Sequence, residues 1–224
     1  MNSLLCSALR SVPSAWLRDL AGAWVFYSVL PGWPWPAPRF VRIARFAPWI
    51  GAVIGGLAAA LWLLLSALNW QPAALAPVAL ALELWLTGGL HLDGLMDTAD
   101  GLAAGNGRCL EAMDDSRVGA SGVQALVIVL LLQFSALLQL DGLAPAALVT
   151  SAIFARVSPL WAMGRFRYLR SDGTASFHRS NWCGWREGLP TLLLLTLVAL
   201  LLFWLQPEKL AALAGVVLLG TLSA

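Results

Sequence analysis

Two long apolar runs, at residues 46–68 and 189–206, most constrain what this chain can fold into. Each approaches the roughly 20 residues that an α-helix needs to cross the hydrocarbon core of a bilayer. Inside a bilayer every backbone polar group must be satisfied by the protein itself, so such runs form helices. Only 12% of the 224 residues are charged, about half the share that is typical of soluble domains. The sequence therefore predicts an all-α integral membrane protein.

Further apolar segments between these runs predict a multi-span helical bundle. About six spans are expected, at residues 46–68, 74–92, 121–140, 146–164, 189–206 and from 210 onward. Residues 15–30 are short for a crossing and predict an interfacial or re-entrant helix near the N-terminus. No repeat or low-complexity linker divides the sequence, so residues 1–224 are expected to form a single polytopic domain.

The basic residues are distributed unequally between the two sides of this predicted bundle. Ten of them fall in alternate loops: Arg39, Arg42, Arg45, Arg108, Arg117, Arg165, Arg167, Arg170, Arg179 and Arg186. The loops of the other side hold only Lys209. Because basic residues are retained on the cytoplasmic side, this bias predicts that the arginine-bearing loops and the acidic segment between them face the cytoplasm. The net charge of +2 is small and dispersed, which argues against a nucleic-acid partner.

A polar segment at residues 91–119 interrupts the apolar sequence and carries six of the twelve acidic residues. Asp93, Asp97 and Asp100 follow the spacing i, i+4, i+7, which places three carboxylates on one face of a helix. Carboxylates at this spacing repel one another, so the pattern implies a compensating cation. Hard oxygen ligands suit Mg²⁺, which proteins hold through one or two carboxylates plus substrate phosphates. The sequence predicts a Mg²⁺ site on these three residues, completed by Asp114 or Asp115.

Two ionisable residues, Glu83 and Arg156, fall inside predicted spans. Ionisable groups at such depth are rare and usually face a partner or a water-filled cavity. One hypothesis is that the two residues pair with each other. The other is that Arg156 points at a substrate phosphate while Glu83 is protonated.

Two gapless blocks of sequence surround the acidic residues. They are Thr-Gly-Gly-Leu-His-Leu-Asp-Gly-Leu-Met-Asp-Thr-Ala-Asp-Gly at 87–101 and Met-Asp-Asp-Ser-Arg-Val-Gly at 113–119. Looser elements are Phe-Ala-Arg at 154–156 and Arg-Tyr-Leu-Arg-Ser-Asp-Gly at 167–173. With these blocks the chain resembles the cobalamin synthase (adenosylcobinamide-GDP ribazoletransferase) family, whose members are multi-span enzymes of the cytoplasmic membrane.

The resemblance implies a reaction and its partners. Adenosylcobinamide-GDP reacts with α-ribazole or its 5′-phosphate to form adenosylcobalamin or its 5′-phosphate, and GMP is released. The expected cofactor is Mg²⁺. The lipid bilayer is a further expected partner. A homo-oligomer and an association with other cobalamin-assembly enzymes are both left open.

Positioning and charge neutralisation dominate phosphoryl transfer, so acidic and basic residues are the candidates for the site. The expected catalytic residues are Asp93, Asp97, Asp100 and His91. The expected substrate-binding residues are Arg117, Arg156, Gly94, Gly101, Arg167, Arg170 and Asp172. His91 is either a base or phosphate donor, or an interfacial histidine bonded to a neighbouring helix. Arg167, Arg170, Asp172 and Gly173 are expected in a lid over the corrinoid, with a topology anchor as the alternative for Arg167.

Two other functions stay open on the sequence alone. The CDP-alcohol phosphotransferases also carry carboxylates at i, i+4 on membrane helices, but their second glycine-Asp-x-x-x-Asp element is absent here. A transporter would place its intramembrane acids near the bilayer midplane, whereas these acids follow a predicted span.

The 224 residues are also expected to lack a glycine-rich Thr-Gly-Asp segment that family members carry after the sixth span.

Overall fold

A computed structural model describes residues 13–168 and 176–205 of the chain. Within these ranges the secondary structure is helical and no β-strand occurs, which confirms the predicted all-α class. The helices are α1 Pro13–Tyr27, α2 Ala47–Ala67, α3 Pro72–Leu86, α4 Leu90–Ala104, α5 Cys109–Asp114, α6 Ala120–Gln139, α7 Ala144–Phe154, α8 Val157–Arg165, α9 Ser176–Ser180 and α10 Leu189–Leu205. Short 3₁₀ turns at Ile43–Phe46, Asp141–Leu143 and Gly184–Gly188 precede α2, α7 and α10.

Three helical stretches are long and apolar enough to cross a membrane: Ile43–Ala67, Ala120–Gln139 and Ala144–Arg165. Each matches a predicted span to within a few residues. A fourth arises only if the bent pair α3 and α4 counts as one span. The predicted number of about six is therefore not confirmed in the part of the chain that the structure describes. Helix α10 has 17 residues there, and the sixth span, predicted from residue 210, lies outside the described residues.

The helix predicted near the N-terminus is present as α1. Its 15 residues have a length of about 22 Å, which is less than the roughly 30 Å of a hydrocarbon core. The helix ends before the proline-rich segment 31–38, where the proline rings remove backbone donors and prevent a helix. The interfacial or re-entrant location of α1 stays a prediction.

The span predicted at 74–92, which leads into the acidic segment, is divided in the structure: α3 ends at Leu86 and α4 begins at Leu90. Helices α3 and α4 meet at an angle of 90°. Between them Gly88 and Gly89 have φ angles of 60° and 76°, in the left-handed region that glycine adopts without strain. The Thr87 hydroxyl donates to two carbonyl groups in the last turn of α3, which helps to end that helix. The Thr-Gly-Gly sequence thus turns the acidic helix away from the axis of the preceding span.

Residue contacts divide the described chain into two compact units. The first unit comprises residues 13–26, 30–53, 150–168 and 176–205, and the second comprises residues 27–29 and 54–149. In the second unit, buried apolar side chains from α2, α3, α6 and α7 form a core: Ala58, Trp62, Leu75, Ala76, Ala79, Leu137, Ala144 and Leu148. In the first unit α2 and α7 approach closely at Gly51, where a Cβ atom would lie 2.9 Å from the carbonyl carbon of Ala152.

Candidate functional site

The three aspartates of the predicted metal site lie on one continuous helix. Helix α4 contains Asp93, Asp97 and Asp100, so the predicted helical spacing is confirmed. With about 100° between successive residues, Asp97 and Asp100 point about 40° and 20° away from Asp93 around the axis. Asp93 is exposed, whereas Asp97 and Asp100 are half-buried. The acidic face of α4 is therefore most open to solvent near its first turn.

Asp100 is bound to the first turn of α6. Its two carboxylate oxygens accept hydrogen bonds from the backbone N–H groups of Gly119 and Gly122, each at 2.8 Å. Gly119 is the N-cap residue of α6, and Gly122 is the third residue of that helix. The first N–H groups of a helix have no partner within the helix, and a side chain at the N-cap usually accepts from them. Since Gly119 has no side chain, Asp100 caps α6 from α4.

The two glycines leave the space that this contact requires. A Cβ atom on Gly119 would lie 2.7 Å from the Cγ atom of Asp100. A Cβ atom on Gly122 would lie 2.5 Å from Asp100 Oδ2 and 3.0 Å from the carbonyl oxygen of Met96. The sequence alone assigns neither glycine a role. The available signal is a helix that begins after glycine where Ser, Thr, Asp or Asn is preferred.

Gly94 and Gly101, both predicted to allow close approach, have different surroundings. A Cβ atom on Gly101 would lie 2.7 Å from Met113 Cγ and 3.0 Å from the carbonyl oxygen of Cys109. Gly101 therefore lets α5 pack against α4. At Gly94 no atom lies within 4 Å of the corresponding Cβ position. Of the two glycines, only Gly94 leaves open space beside the exposed end of the acidic face.

Asp115 and Arg117, predicted as a metal ligand and a phosphate ligand, bind each other. Arg117 Nη2 lies 2.6 Å from Asp115 Oδ2, and the backbone N–H of Arg117 donates to Asp115 Oδ1 at 3.0 Å. Hydrogen bonds from the guanidinium and the backbone of Arg117 lower the pKa of Asp115 to about 2. The Arg117 side chain is 88% exposed, so this ion pair is weak and its guanidinium stays accessible to an anion.

The other predicted ligands of the acidic segment lie on two helices. His91 is half-buried in the first turn of α4, and Asp114 is the exposed last residue of α5. Across residues 13–168 and 176–205, no three His, Cys, Asp or Glu side chains come together closely enough to hold a metal ion. A Mg²⁺ ion on the acidic face would therefore need further ligands from outside these side chains, and substrate phosphates are the usual source.

Arg156 is buried in the first unit, at the break between α7 and α8. Its side chain is close to the backbone of α7, because Nη1 donates to the Ala152 carbonyl at 2.7 Å. Gly51 leaves room for it, since a Cβ atom there would lie 3.0 Å from Arg156 Cδ. Glu83 lies half-buried on α3, in the second unit. Pairing of Glu83 with Arg156 and a phosphate contact of Arg156 both stay predictions.

Arg167 is exposed at the end of α8, where it lines a cleft of about 190 Å³. The residues around this cleft are Ala162, Met163, Phe166, Arg167, Tyr168 and Arg179. The guanidinium of Arg179 donates to the Met163 carbonyl at 2.7 Å, which connects α9 to α8. The remaining residues of the predicted lid, Arg170, Asp172 and Gly173, lie outside the described residues.

Three arginines that served as topology signals in the sequence form ion pairs in the first unit. Asp19 is fully buried and binds Arg39 and Arg45, with its carboxylate oxygens 2.6 Å from Arg39 Nε and 2.6 Å from Arg45 Nη2. The hydrogen bond to Asp19 raises the pKa of Arg39. Arg42 pairs with the buried carboxylate of Glu187. The sequence does not reveal these pairs because the partners are far apart in the chain.

Arg45 is held by aromatic rings as well as by Asp19. Its guanidinium carbon lies 4.4 Å from the centroid of the Trp16 ring and 4.9 Å from that of Phe46. Nε and Nη1 of Arg45 are buried and make no hydrogen bond to any described residue. Cation–π attraction offsets part of the cost of removing these groups from water. The Asp19 cluster (Asp19, Arg39 and Arg45) is therefore a structural element.

Comparison with known proteins gives one consistent result. A model of the family described as cobalamin-5-phosphate synthase matches residues 19–224. A protein named adenosylcobinamide-GDP ribazoletransferase from Prochlorococcus marinus (strain MIT 9303) is 60% identical over 207 residues, which cover 90% of this chain and 80% of the relative. A protein of the same name from Thermosynechococcus vestitus is 40% identical over 87% of this chain and 78% of its own length.

No solved structure matches the chain. The match to the family model nevertheless includes the acidic helix, the capping glycines of α6 and most of both units. The chain belongs to the cobalamin-5-phosphate synthase family.

Proposed function

We propose that this chain is an adenosylcobinamide-GDP ribazoletransferase. It joins adenosylcobinamide-GDP to α-ribazole or α-ribazole 5′-phosphate, forms adenosylcobalamin or its 5′-phosphate, and releases GMP. The observation that carries the proposal is 60% identity, over 90% of the chain, to a relative of that name. The match of residues 19–224 to the family supports it independently.

The chemistry explains why an acidic helix belongs in such an enzyme. A hydroxyl oxygen of the ribazole attacks the phosphorus that carries the cobinamide, and a new P–O bond forms. The P–O bond to GMP breaks, GMP leaves with the bonding electrons, and the hydroxyl proton passes to a base. Positioning and charge neutralisation supply most of the acceleration in phosphoryl transfer.

Mg²⁺ is the cofactor in this proposal, and the exposed end of the acidic face fits it. Asp93 is exposed, and Asp97 lies one turn further along α4. Two carboxylates with substrate phosphates form the kind of ligand set that Mg²⁺ takes at phosphoryl-transfer sites. The two residues would hold Mg²⁺ there, and the ion would supply charge neutralisation on the diphosphate. Asp114, the exposed last residue of α5, or Asp115 is the candidate for a further ligand.

The remaining residues have roles in proton transfer and phosphate binding. His91 lies two residues before Asp93 and is proposed to accept the hydroxyl proton. Arg117 and Arg167 are exposed, and their planar guanidinium groups suit bidentate phosphate contacts. Arg156, Arg170 and Asp172 are proposed as additional substrate-binding residues on the strength of the sequence resemblance.

The proposed location is the cytoplasmic face of the inner membrane. Three membrane-capable helices, or four with the bent pair, support a membrane protein. The orientation rests on the arginine-rich loops, because basic residues are retained on the cytoplasmic side. The bend before α4 supports a site at the end of a span, where soluble substrates have access.

The proposal is tested with the purified protein in nanodiscs containing Mg²⁺. With adenosylcobinamide-GDP and α-ribazole or its 5′-phosphate, we expect a corrinoid product and one GMP per product, measured by liquid chromatography and mass spectrometry. The Glu111→Gln variant is a matched control, because Glu111 is an exposed acid on α5 outside the proposed ligand set. It should retain the wild-type rate.

Other outcomes assign the chain differently. A folded protein that forms no corrinoid product overturns the proposal. Product from CDP-diacylglycerol and an alcohol would indicate a CDP-alcohol phosphotransferase. Ion-coupled uptake into liposomes without any covalent product would indicate a transporter.

A further inference from the structure

We propose that Asp100 is a positioning residue and not a metal ligand: its carboxylate fixes the start of α6 to the acidic face of α4, with Gly119 and Gly122 as its partners. Only the activity measurement for this role of Asp100 depends on the proposed function. The structural measurements are independent of which reaction the protein catalyses.

The charge of Asp100 is already compensated within the protein. Both of its oxygens accept backbone N–H groups at 2.8 Å. These donors belong to the first turn of α6, where the helix dipole places a partial positive charge that favours a carboxylate. Asp93, by contrast, is exposed on the same face. The Asp100 carboxylate is therefore compensated without a cation, whereas the Asp93 carboxylate stays open to one.

Steric contacts at Gly119 and Gly122 support the same role. The three atoms nearest to a Cβ on Gly119 all belong to the Asp100 carboxylate. At Gly122 the nearest atom is again an Asp100 oxygen, followed by the backbone oxygen and the Cβ atom of Met96. While Asp100 is present, the start of α6 thus fits against α4 only with glycine at these two positions. Glycine at an N-cap leaves the capping to another residue, and Asp100 fills that role.

The contact also determines where the other carboxylates point. Because Asp100 is held at two points, α4 cannot rotate about its axis without breaking these bonds. Asp93 lies two turns earlier and about 20° away around the axis, so its direction follows from that of Asp100. A displacement of about 1 Å at a reacting centre costs on the order of 10²-fold in rate. Loss of the cap is therefore expected to reduce activity through Asp93 and Asp97.

A second-site rescue separates this role from metal binding. Asp100→Ala removes the cap, and Gly119→Ser introduces a side chain that collides with Asp100. In the double variant the colliding carboxylate is absent, and the introduced serine can cap α6 with its own hydroxyl, since Gly119 has φ −85° and ψ 168° as an N-cap serine requires. Each single variant should lose activity, and the double variant should regain most of it.

Two further variants control the test. In Asp100→Ala/Gly122→Ala the new methyl group still meets the Met96 carbonyl oxygen at 3.0 Å, so no rescue is expected. Gly107→Ser is the matched glycine substitution, because no atom lies within 4 Å of its Cβ position. It should behave like the wild type.

The measurements are the transfer rate, the Mg²⁺ concentration for half-maximal rate, thermal unfolding, and amide hydrogen exchange at residues 119–122. For Asp100→Ala we expect at least a tenfold loss of rate, faster exchange at these amides, and a fall in melting temperature of about 2–4 °C. The double variant Asp100→Ala/Gly119→Ser should return all of these to near wild-type values, with an unchanged Mg²⁺ requirement.

A folded double variant that stays inactive, or that needs much more Mg²⁺, would show that Asp100 binds the metal ion and would overturn the proposal. A double variant that fails to fold would overturn it as well, because a restored cap should restore α6. If the wild type shows no transferase activity, the proposed function fails, and exchange and melting temperature alone decide the role of Asp100.

Discussion

Asp19 and Asp100 are both held by several hydrogen bonds, but the donors differ. Asp19 is fully buried in the first unit and is neutralised by Arg39 and Arg45. Asp100 is half-buried in the second unit. The donors that hold it to α6 are backbone N–H groups. In the first unit the buried acids are matched by arginines, whereas α4 contains no Lys or Arg among its 15 residues. The difference indicates that the first unit uses charge pairs for folding, whereas the acidic residues of α4 have no basic residue on their own helix.

The largest effect is expected at Asp19. Asp19→Ala leaves the buried Arg45 guanidinium without its counterion, and breaking such a buried pair costs about 3–5 kcal/mol. Thermal or denaturant unfolding in detergent measures the loss. Glu111→Ala, which removes an exposed acid, should change stability little. Equal losses for the two variants would show that the Asp19 cluster does not contribute to folding.

Asp93→Asn should reduce activity and leave stability nearly unchanged, in contrast to Asp19→Ala. We expect a fall in transfer rate on the order of 10²-fold, because a group that neutralises charge in the transition state is removed. Stability should change by only a few tenths of a kcal/mol, since relief of the repulsion between Asp93 and Asp97 opposes the loss of a carboxylate from the first turn of α4. Steady-state kinetics and a melting curve on the same sample test this. A stability loss like that of Asp19→Ala would remove the distinction between the two regions.

His178 provides a pH-dependent test within the first unit. Burial against Phe26 and Phe177 lowers its pKa to about 4 from an ordinary value near 6.5. The unfolded chain then binds a proton at higher pH than the folded protein does, so stability is lost as pH falls from about 6.5 to 4. In His178→Gln the melting temperature should fall less over this range. Parallel curves for the two proteins would contradict the assignment.

The smallest effect is expected for the exposed pair of Asp115 and Arg117. Because the pKa of Asp115 is lowered to about 2, any stability from the pair is present above pH 3.8 and is lost as pH falls toward 2. Solvent screens this pair, so Asp115→Asn should leave the melting temperature at neutral pH within error. A clear decrease that disappears in 1 M salt would show that exposed charges of the second unit also stabilise the fold.

The bend between α3 and α4 and the Asp100 cap of α6 show why sequence patterns predict helices better than they predict tertiary contacts. Apolar length and helical spacing predict the three membrane-capable stretches and the acidic helix, because both are properties of consecutive residues. Gly88 and Gly89 carried a signal for the bend, but the apolar residues around them favoured one continuous span. Asp100 caps Gly119 and Gly122 across sequence separations of 19 and 22 positions. Arg42 and Glu187 are separated by 145 positions. Periodicity contains no information about either contact.

By itself, the sequence determined that this chain is helical, that it is apolar enough for a membrane, and that three of its twelve acidic residues lie on one helix of a cobalamin-synthase-like motif. These properties follow from residue type and spacing along the chain. The tertiary structure decided which charges are used in folding and which stay exposed. Asp19, Glu187 and Asp100 are paired because folding brings distant donors to them, whereas Asp93 stays exposed because no donor group of the described chain reaches it.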